Sequence, residues 1–196
     1  MRHKLMSQHY RYRYSCDMSG VKYRDVLREL ALDNYGYVTT KDAVGAGVPA
    51  VELPKLAARG GLENVAYGLY RVTDVPATAL DQFAEALLRV GDGAFLHGES
   101  VLALLGLADV NPRWIKVAVP RRARPQLPSF IELTQVTDSP ATTTYQGIAA
   151  QPVADALVEC RGRIETERLL EAARQARAAG LLTTGEWDRV RKELRS

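Results

Sequence analysis

The sequence predicts an α+β protein in which an N-terminal winged helix-turn-helix precedes a mixed α/β region. Three short segments with helical spacing of apolar residues come before two strand-like runs joined by a tight turn, which is the order of a winged helix. A polar stretch with proline at residues 73–76 then interrupts this periodicity, and alternating apolar strands follow. We therefore expect a basic leader at residues 1–20, a winged helix-turn-helix at 21–75 and a second domain at 76–196.

The first two predicted helices follow from spacing and from helix-ending residues. Helix one starts at Val21 and ends before Gly36, and its apolar face comprises Tyr23, Val26, Leu27, Leu30 and Ala31. The threonines at 39 and 40 offer a cap for a short second helix over residues 41–44.

The third predicted helix spans residues 50–59 and ends at Gly60-Gly61. Proline within a helix is tolerated only in the first turn, so Pro54 indicates that the regular helix begins close to Glu52. Runs at 62–65 and 69–72, joined by residues 66–68, form the predicted hairpin.

In a helix-turn-helix the second helix of the motif lies in the major groove, which here is the segment 50–59. Glu52 either accepts a hydrogen bond from a cytosine amino group or is an acid favoured by the helix dipole. The predicted DNA-binding residues are Lys41, Glu52, Lys55, Arg59, Tyr67 and Arg71.

The second region is predicted to mix helices and strands. We expect helices at residues 80–90, 99–105, 152–160 and 164–179, and strands at 114–119, 130–136 and 143–148. A capping box formed by Thr183 and Glu186 begins the last helix.

The net charge of +3 lies within the leader, because residues 21–75 and 76–196 each contain as many basic as acidic side chains. The leader is a disordered tail, a product of choosing a start codon upstream of Met18, or a basic arm that contacts phosphates. A second basic patch is formed by Arg113, Arg121, Arg122 and Arg124. It is either a solvated loop or a surface for DNA or an acidic partner.

The sequence favours no catalytic or cofactor-binding site. His97, Glu99 and Ser100 bring together a base, an acid and a nucleophile, but adjacent residues rarely converge on one reacting atom, so we expect Gly98 or Ser100 to begin a buried helix. Phosphate-binding and dinucleotide motifs are absent, and Cys16 and Cys160 have no metal-ligand spacing. We expect a cytoplasmic protein with no enzymatic activity, no cofactor, no metal and no membrane segment.

Several stretches resemble, in their order, the AbiEi-type antitoxins of type IV toxin-antitoxin systems. In the first region these are residues 36–40, 47–49, 53–62 and 68–72, and in the second region residues 97–107, 115–119 and 152–157. The resemblance covers about residues 20–195.

The resemblance implies an autorepressor whose winged helix binds inverted repeats in its own promoter and whose C-terminal antitoxin domain neutralises a nucleotidyltransferase-like toxin. It places DNA contacts on Lys55, Arg59 and the wing near Tyr67 and Arg71; Pro54 and the neutral charge depart from the usual basic helix. Palindromic operators usually need two half-site readers, so we predict two copies per operator. The alternatives are an antitoxin whose winged helix docks protein, and a stand-alone transcription factor with a small-molecule-sensing domain.

Overall fold

The computed structural model describes residues 23–120, 127–136 and 140–196, and confirms the α+β class. Contacts divide the chain into two compact units between Glu85 and Ala86. Each unit is described by itself. The predicted basic leader lies outside the described residues.

The first unit is a winged helix-turn-helix. Its elements are α1 (Tyr23–Leu32), β1 (Tyr37–Thr39), α2 (Thr40–Gly45), α3 (Glu52–Ala58), β2 (Leu62–Ala66) and β3 (Leu69–Val72). The strands form an antiparallel sheet in the order β1-β3-β2. The hairpin prediction is confirmed, whereas β1 was not predicted as a strand.

Apolar side chains from the helices and one face of the sheet form the core of this unit. The predicted apolar positions of α1 are buried apart from Tyr23, which is 36% exposed. The core comprises Val26, Leu27, Leu30, Ala31, Val38, Ala43, Ala46, Val48, Leu53, Leu62, Tyr70, Val72 and Val75.

A helix that crosses the boundary between the units, α4 (Asp81–Val90), is followed by the elements of the second unit. These are β4 (Phe95–Leu96), α5 (Glu99–Leu104), β5 (Ile115–Val119), β6 (Ile131–Gln135), β7 (Thr143–Tyr145), β8 (Ile148–Ala150), α6 (Val153–Glu159), α7 (Thr166–Ala178) and α8 (Thr184–Arg195). The sheet has the order β6-β5-β4-β8-β7; β5 pairs in parallel with β6, and β4 with β8.

The second unit differs from the prediction in two strands. The single strand expected at 143–148 is a hairpin, because Gln146 and Gly147 both have positive φ and reverse the chain between β7 and β8. Strand β4 was not predicted at all, although it pairs with both β5 and β8. The capping box of Thr183 and Glu186 is confirmed.

Within the described residues, no helix is long and apolar enough to cross a bilayer.

Candidate nucleic-acid interface

The turn between α2 and α3 is fixed by caps and by a buried valine. The hydroxyl of Thr39 accepts a hydrogen bond from the amide of Asp42 at 3.0 Å and so caps α2. Gly47 has a φ of +87°, and the amide of the fully buried Val48 donates to the carbonyl of Ala43 at 2.9 Å. These contacts set the direction in which α3 leaves the turn.

Helix α3 begins at Glu52, as the position of Pro54 predicted. Pro54 is the third residue of α3, where the missing N–H leaves no intrahelical hydrogen bond unmade. Leu53 is fully buried, and Leu56 and Ala57 pack on the same core. The opposite side of the helix is exposed to solvent and comprises Val51, Pro54, Lys55, Ala58 and Arg59.

The predicted contact residues Glu52 and Lys55 form an ion pair with each other. Nζ of Lys55 lies 2.8 Å from Oε1 of Glu52, and the two side chains are 56% and 26% exposed. Such an exposed pair contributes only about 0–1 kcal/mol, so a phosphate or a base can replace the carboxylate at little cost.

The tip of the wing is hydrogen-bonded to the start of α2. The carbonyl of Gly68 accepts from the amide of Thr40 at 2.8 Å and from its hydroxyl at 3.3 Å. Tyr67 is fully exposed at this tip, and Lys41 follows Thr40 on the solvent-facing side of α2. The fold therefore presents Tyr67 and Lys41 on either side of one anchored contact.

Arg71 has a different environment from the one predicted for a wing residue. Its side chain is only 18% exposed, and Nη1 donates to Oδ2 of Asp81 at 2.9 Å. Cζ lies 5.5 Å from the ring centroid of Tyr37. Arg71 lies on the central strand of the sheet and joins this strand to the first residue of α4, so we do not include it among the proposed DNA contacts.

A second contact joins the same face of the sheet to α4. The hydroxyl of Tyr37 donates to Oε2 of Glu85 at 2.7 Å. Burial and the hydrogen bond to this carboxylate raise the pKa of Tyr37 well above its ordinary value. The phenol therefore remains a neutral donor across the physiological range.

One residue of the predicted second basic patch, Arg113, lies within the described part of the chain. Cζ of Arg113 lies 4.8 Å from the ring centroid of Trp114, which is 42% exposed. The other members, Arg121, Arg122 and Arg124, lie outside the described residues.

A polar cluster in the second unit surrounds His97. Nδ1 of His97 lies 2.8 Å from Oε1 of Glu159, and because an ionised carboxylate only accepts, Nδ1 carries the proton. Burial alone would raise the pKa of Glu159, but hydrogen bonds from His97 and Gln151 and the charge of Arg163 outweigh it and lower this pKa. Gly98 permits the approach, since a Cβ there would lie 2.8 Å from Oε1 of Glu159.

The same cluster contains a buried ion pair. Nζ of Lys116 lies 3.1 Å from Oε2 of Glu99, and these side chains are 8% and 20% exposed. The hydroxyl of the buried Ser100 accepts from the amide of Lys116 at 2.7 Å. Burial, followed by the charge of Glu99, raises the pKa of Cys160 to about 12, so this cysteine stays a thiol. As predicted, Gly98 and Ser100 lie at the start of a buried helix.

Comparison with known families gives a match within the first unit. Residues 25–73 match a family model described as transcriptional regulator, AbiEi antitoxin. This range runs from the third residue of α1 to the residue after β3, so the match includes α2, α3 and all three strands of the winged helix. The resemblance inferred from sequence is confirmed for this segment, and the match supports a role as a transcriptional regulator of the antitoxin kind.

Among solved structures, the chain is similar to the crystal structure of RV2827C protein from Mycobacterium tuberculosis. The two share 16% identity over 90% of this chain and 73% of that chain, with a TM-score of 0.45. This likeness is too distant to support an argument about function. No curated protein matches the sequence.

Sequence reasoning missed two features of the winged helix. The first is Val51, which is 65% exposed directly before α3. The signal for it was available, because residues 51, 54, 55 and 58 have the spacing of one helical face. The second is the contact of Arg71 with Asp81, for which two residues of opposite charge ten positions apart gave no signal.

Proposed function

We propose that this chain is an antitoxin and autorepressor that binds inverted repeats in its own promoter through α3 and the wing. The observation that carries the proposal is the solvent-facing side of α3, on which Lys55 and Arg59 are exposed while Leu53 fixes the helix to the core. A helix anchored in this way fits the major groove, and exposed cations supply phosphate contacts. Lys41 and Tyr67 add contacts from α2 and the wing.

The second unit, in this proposal, neutralises a cognate nucleotidyltransferase-like toxin, without enzymatic activity or a cofactor of its own. The family match supports this proposal, because the family model that matches residues 25–73 is described as an AbiEi antitoxin. The proposal also places the protein in the cytoplasm, where promoter and toxin are both found.

The first test is a gel shift on the DNA upstream of the gene, beside an unrelated duplex of equal length. We expect saturable binding to the upstream DNA, and much weaker binding by the Lys55→Ala, Arg59→Ala double variant. The matched control is Lys192→Ala, Arg195→Ala, which removes two exposed charges from α8 in the second unit. Equal binding to both duplexes would overturn sequence-specific repression.

The second candidate function is an antitoxin whose winged helix docks protein, because an exposed charge that is already paired also suits a protein surface. The same gel shift distinguishes this candidate from a DNA-binding repressor. Lys55 is compensated by Glu52, and residues 21–75 carry no net charge. If no duplex binds at low salt while the chain still neutralises the toxin in cells, the winged helix docks protein.

The number of copies on the operator is a further expectation. We propose that two copies bind one full operator, because each winged helix contacts one half-site. Light scattering of the complex measures this number, and one copy on a full operator would contradict it.

A further inference from the structure

The solvent-facing side of α3 is mostly apolar. Val51 is 65% exposed, and Pro54 and Ala58 are also exposed. At positions 51, 54, 55 and 58 these side chains share one helical face with Lys55. None of the three apolar residues belongs to the core of the winged helix.

The polar residues near this face partly satisfy each other. Lys55 donates to Glu52 at 2.8 Å, so the acid and the base of α3 are compensated before any ligand arrives. Besides this ion pair, the face presents the small apolar side chains of Val51, Pro54 and Ala58 around Lys55. Base recognition by hydrogen bonds alone would leave these groups without a role.

We infer that α3 contacts thymine C5-methyl groups in the major groove through Val51, Pro54 and Ala58, and this inference rests on the proposed DNA binding. The thymine methyl is the apolar group that the base pairs display in that groove, and small apolar side chains are its usual partners. Lys55, at the middle of the face, then donates to a base edge or to a phosphate.

The chemistry of the face favours DNA over a protein partner. Hot spots of protein interfaces are enriched in tryptophan, tyrosine and arginine, whereas this face presents one valine, one proline and one alanine. The exposed cation Arg59 directly follows α3, and Lys41 is exposed on α2 of the same winged helix. Apolar contacts bordered by cations match a methyl-bearing groove between two phosphate strands.

The test replaces thymine by deoxyuridine in the upstream duplex, which removes the methyl group and keeps the base pairing. We expect binding by the full chain to weaken about fourfold for each contacted methyl. Val51→Ala should reduce this preference for thymine by about fourfold, because the contacts of Pro54 and Ala58 remain. The matched control is Val44→Ala, an equally conservative change at a residue 52% exposed on α2, which should retain the preference for thymine.

The outcomes separate this inference from the proposed function. If the wild type binds both duplexes equally, and binding still depends on Lys55 and Arg59, the methyl contact is wrong and DNA binding stands. If neither duplex binds at low salt and Val51→Ala instead weakens co-purification with the toxin, the face is a protein surface and both proposals fall. Circular dichroism of the exposed-site variants confirms that they are folded.

Discussion

Two ion pairs of similar length, one in each unit, have different surroundings. Lys55 and Glu52 lie 2.8 Å apart on the surface of α3, and Lys116 and Glu99 lie 3.1 Å apart in the polar cluster of the second unit. The lysine side chain is 56% exposed in the first pair and 8% exposed in the second. An exposed pair opens at little cost, whereas breaking a buried pair leaves an uncompensated charge. Exposure thus makes Lys55 available to a ligand, while burial commits Lys116 to the fold.

The largest expected effect follows from removing each lysine in turn. We expect Lys116→Met to lower the free energy of unfolding by about 3 kcal/mol, because Glu99 then loses its buried partner and keeps the more distant Arg163 at 3.8 Å. Lys55→Met should change it by less than about 1 kcal/mol. Urea denaturation measures both, and equal losses would contradict the comparison.

Arg71 extends the comparison to a partly buried pair within the first unit. We expect Arg71→Met to cost about 2 kcal/mol, because Asp81 loses a charged hydrogen bond of 2.9 Å while it keeps those from Thr78. The loss should change little between low and high salt, since a buried pair is weakly screened. Thermal unfolding at two salt concentrations measures it, and a loss that disappears at high salt would place Arg71 at the surface.

A substitution at Gly36 tests whether the side chain of Arg71 is held in place by its contacts. Gly36 and Gly60 both have positive φ, but a Cβ at Gly36 would lie 2.7 Å from Nη1 of Arg71, whereas a Cβ at Gly60 meets nothing within 4 Å. Alanine at either position costs about 1–2 kcal/mol in backbone strain. We expect Gly36→Ala to be more destabilising than Gly60→Ala by about 1 kcal/mol, measured by urea denaturation. Equal losses would show that the guanidinium moves aside freely.

The smallest expected effect is a dependence on pH from the polar cluster. The folded-state pKa of Glu159 lies below its ordinary value of 4.5, so its contribution to stability is present above that value and is lost as the pH falls through the folded-state pKa. We expect Glu159→Gln to lose less thermal stability than the wild type between pH 5 and pH 3. Equal losses of thermal stability in both proteins would contradict a lowered pKa for Glu159.

The local features of the fold were predictable from the sequence, and the pairings between distant residues were not. Helix α1 and the start of α3 followed from apolar spacing and from Pro54, which act within a few residues. Strand β1 has only the residues Tyr37–Thr39 and is defined by pairing with β3 some thirty residues later. Strand β4 has only two residues, too few for a periodic pattern.

The candidate site was predictable in its surface residues and not in its internal ones. Lys41, Arg59 and Tyr67, which the helix-turn-helix pattern predicted as DNA contacts, are exposed in the structure, and their contact with DNA stays a prediction. The partner of His97 is Glu159, 62 positions away, and charge patterns along the chain carry no information about such a contact. The ion pair of Arg71 likewise depends on a residue outside the hairpin, because its partner Asp81 lies on α4.

The most direct test of the account is the salt dependence of binding to the upstream duplex, measured by fluorescence anisotropy for three folded proteins. The slope of log K against log salt is negative, and each lost phosphate contact makes it shallower by about 1. We expect Lys55→Ala, Arg59→Ala to make this slope shallower by up to about 2. Arg71→Met should keep the wild-type slope. The proposed contacts would be contradicted by an unchanged slope in the double variant together with a shallower slope in Arg71→Met.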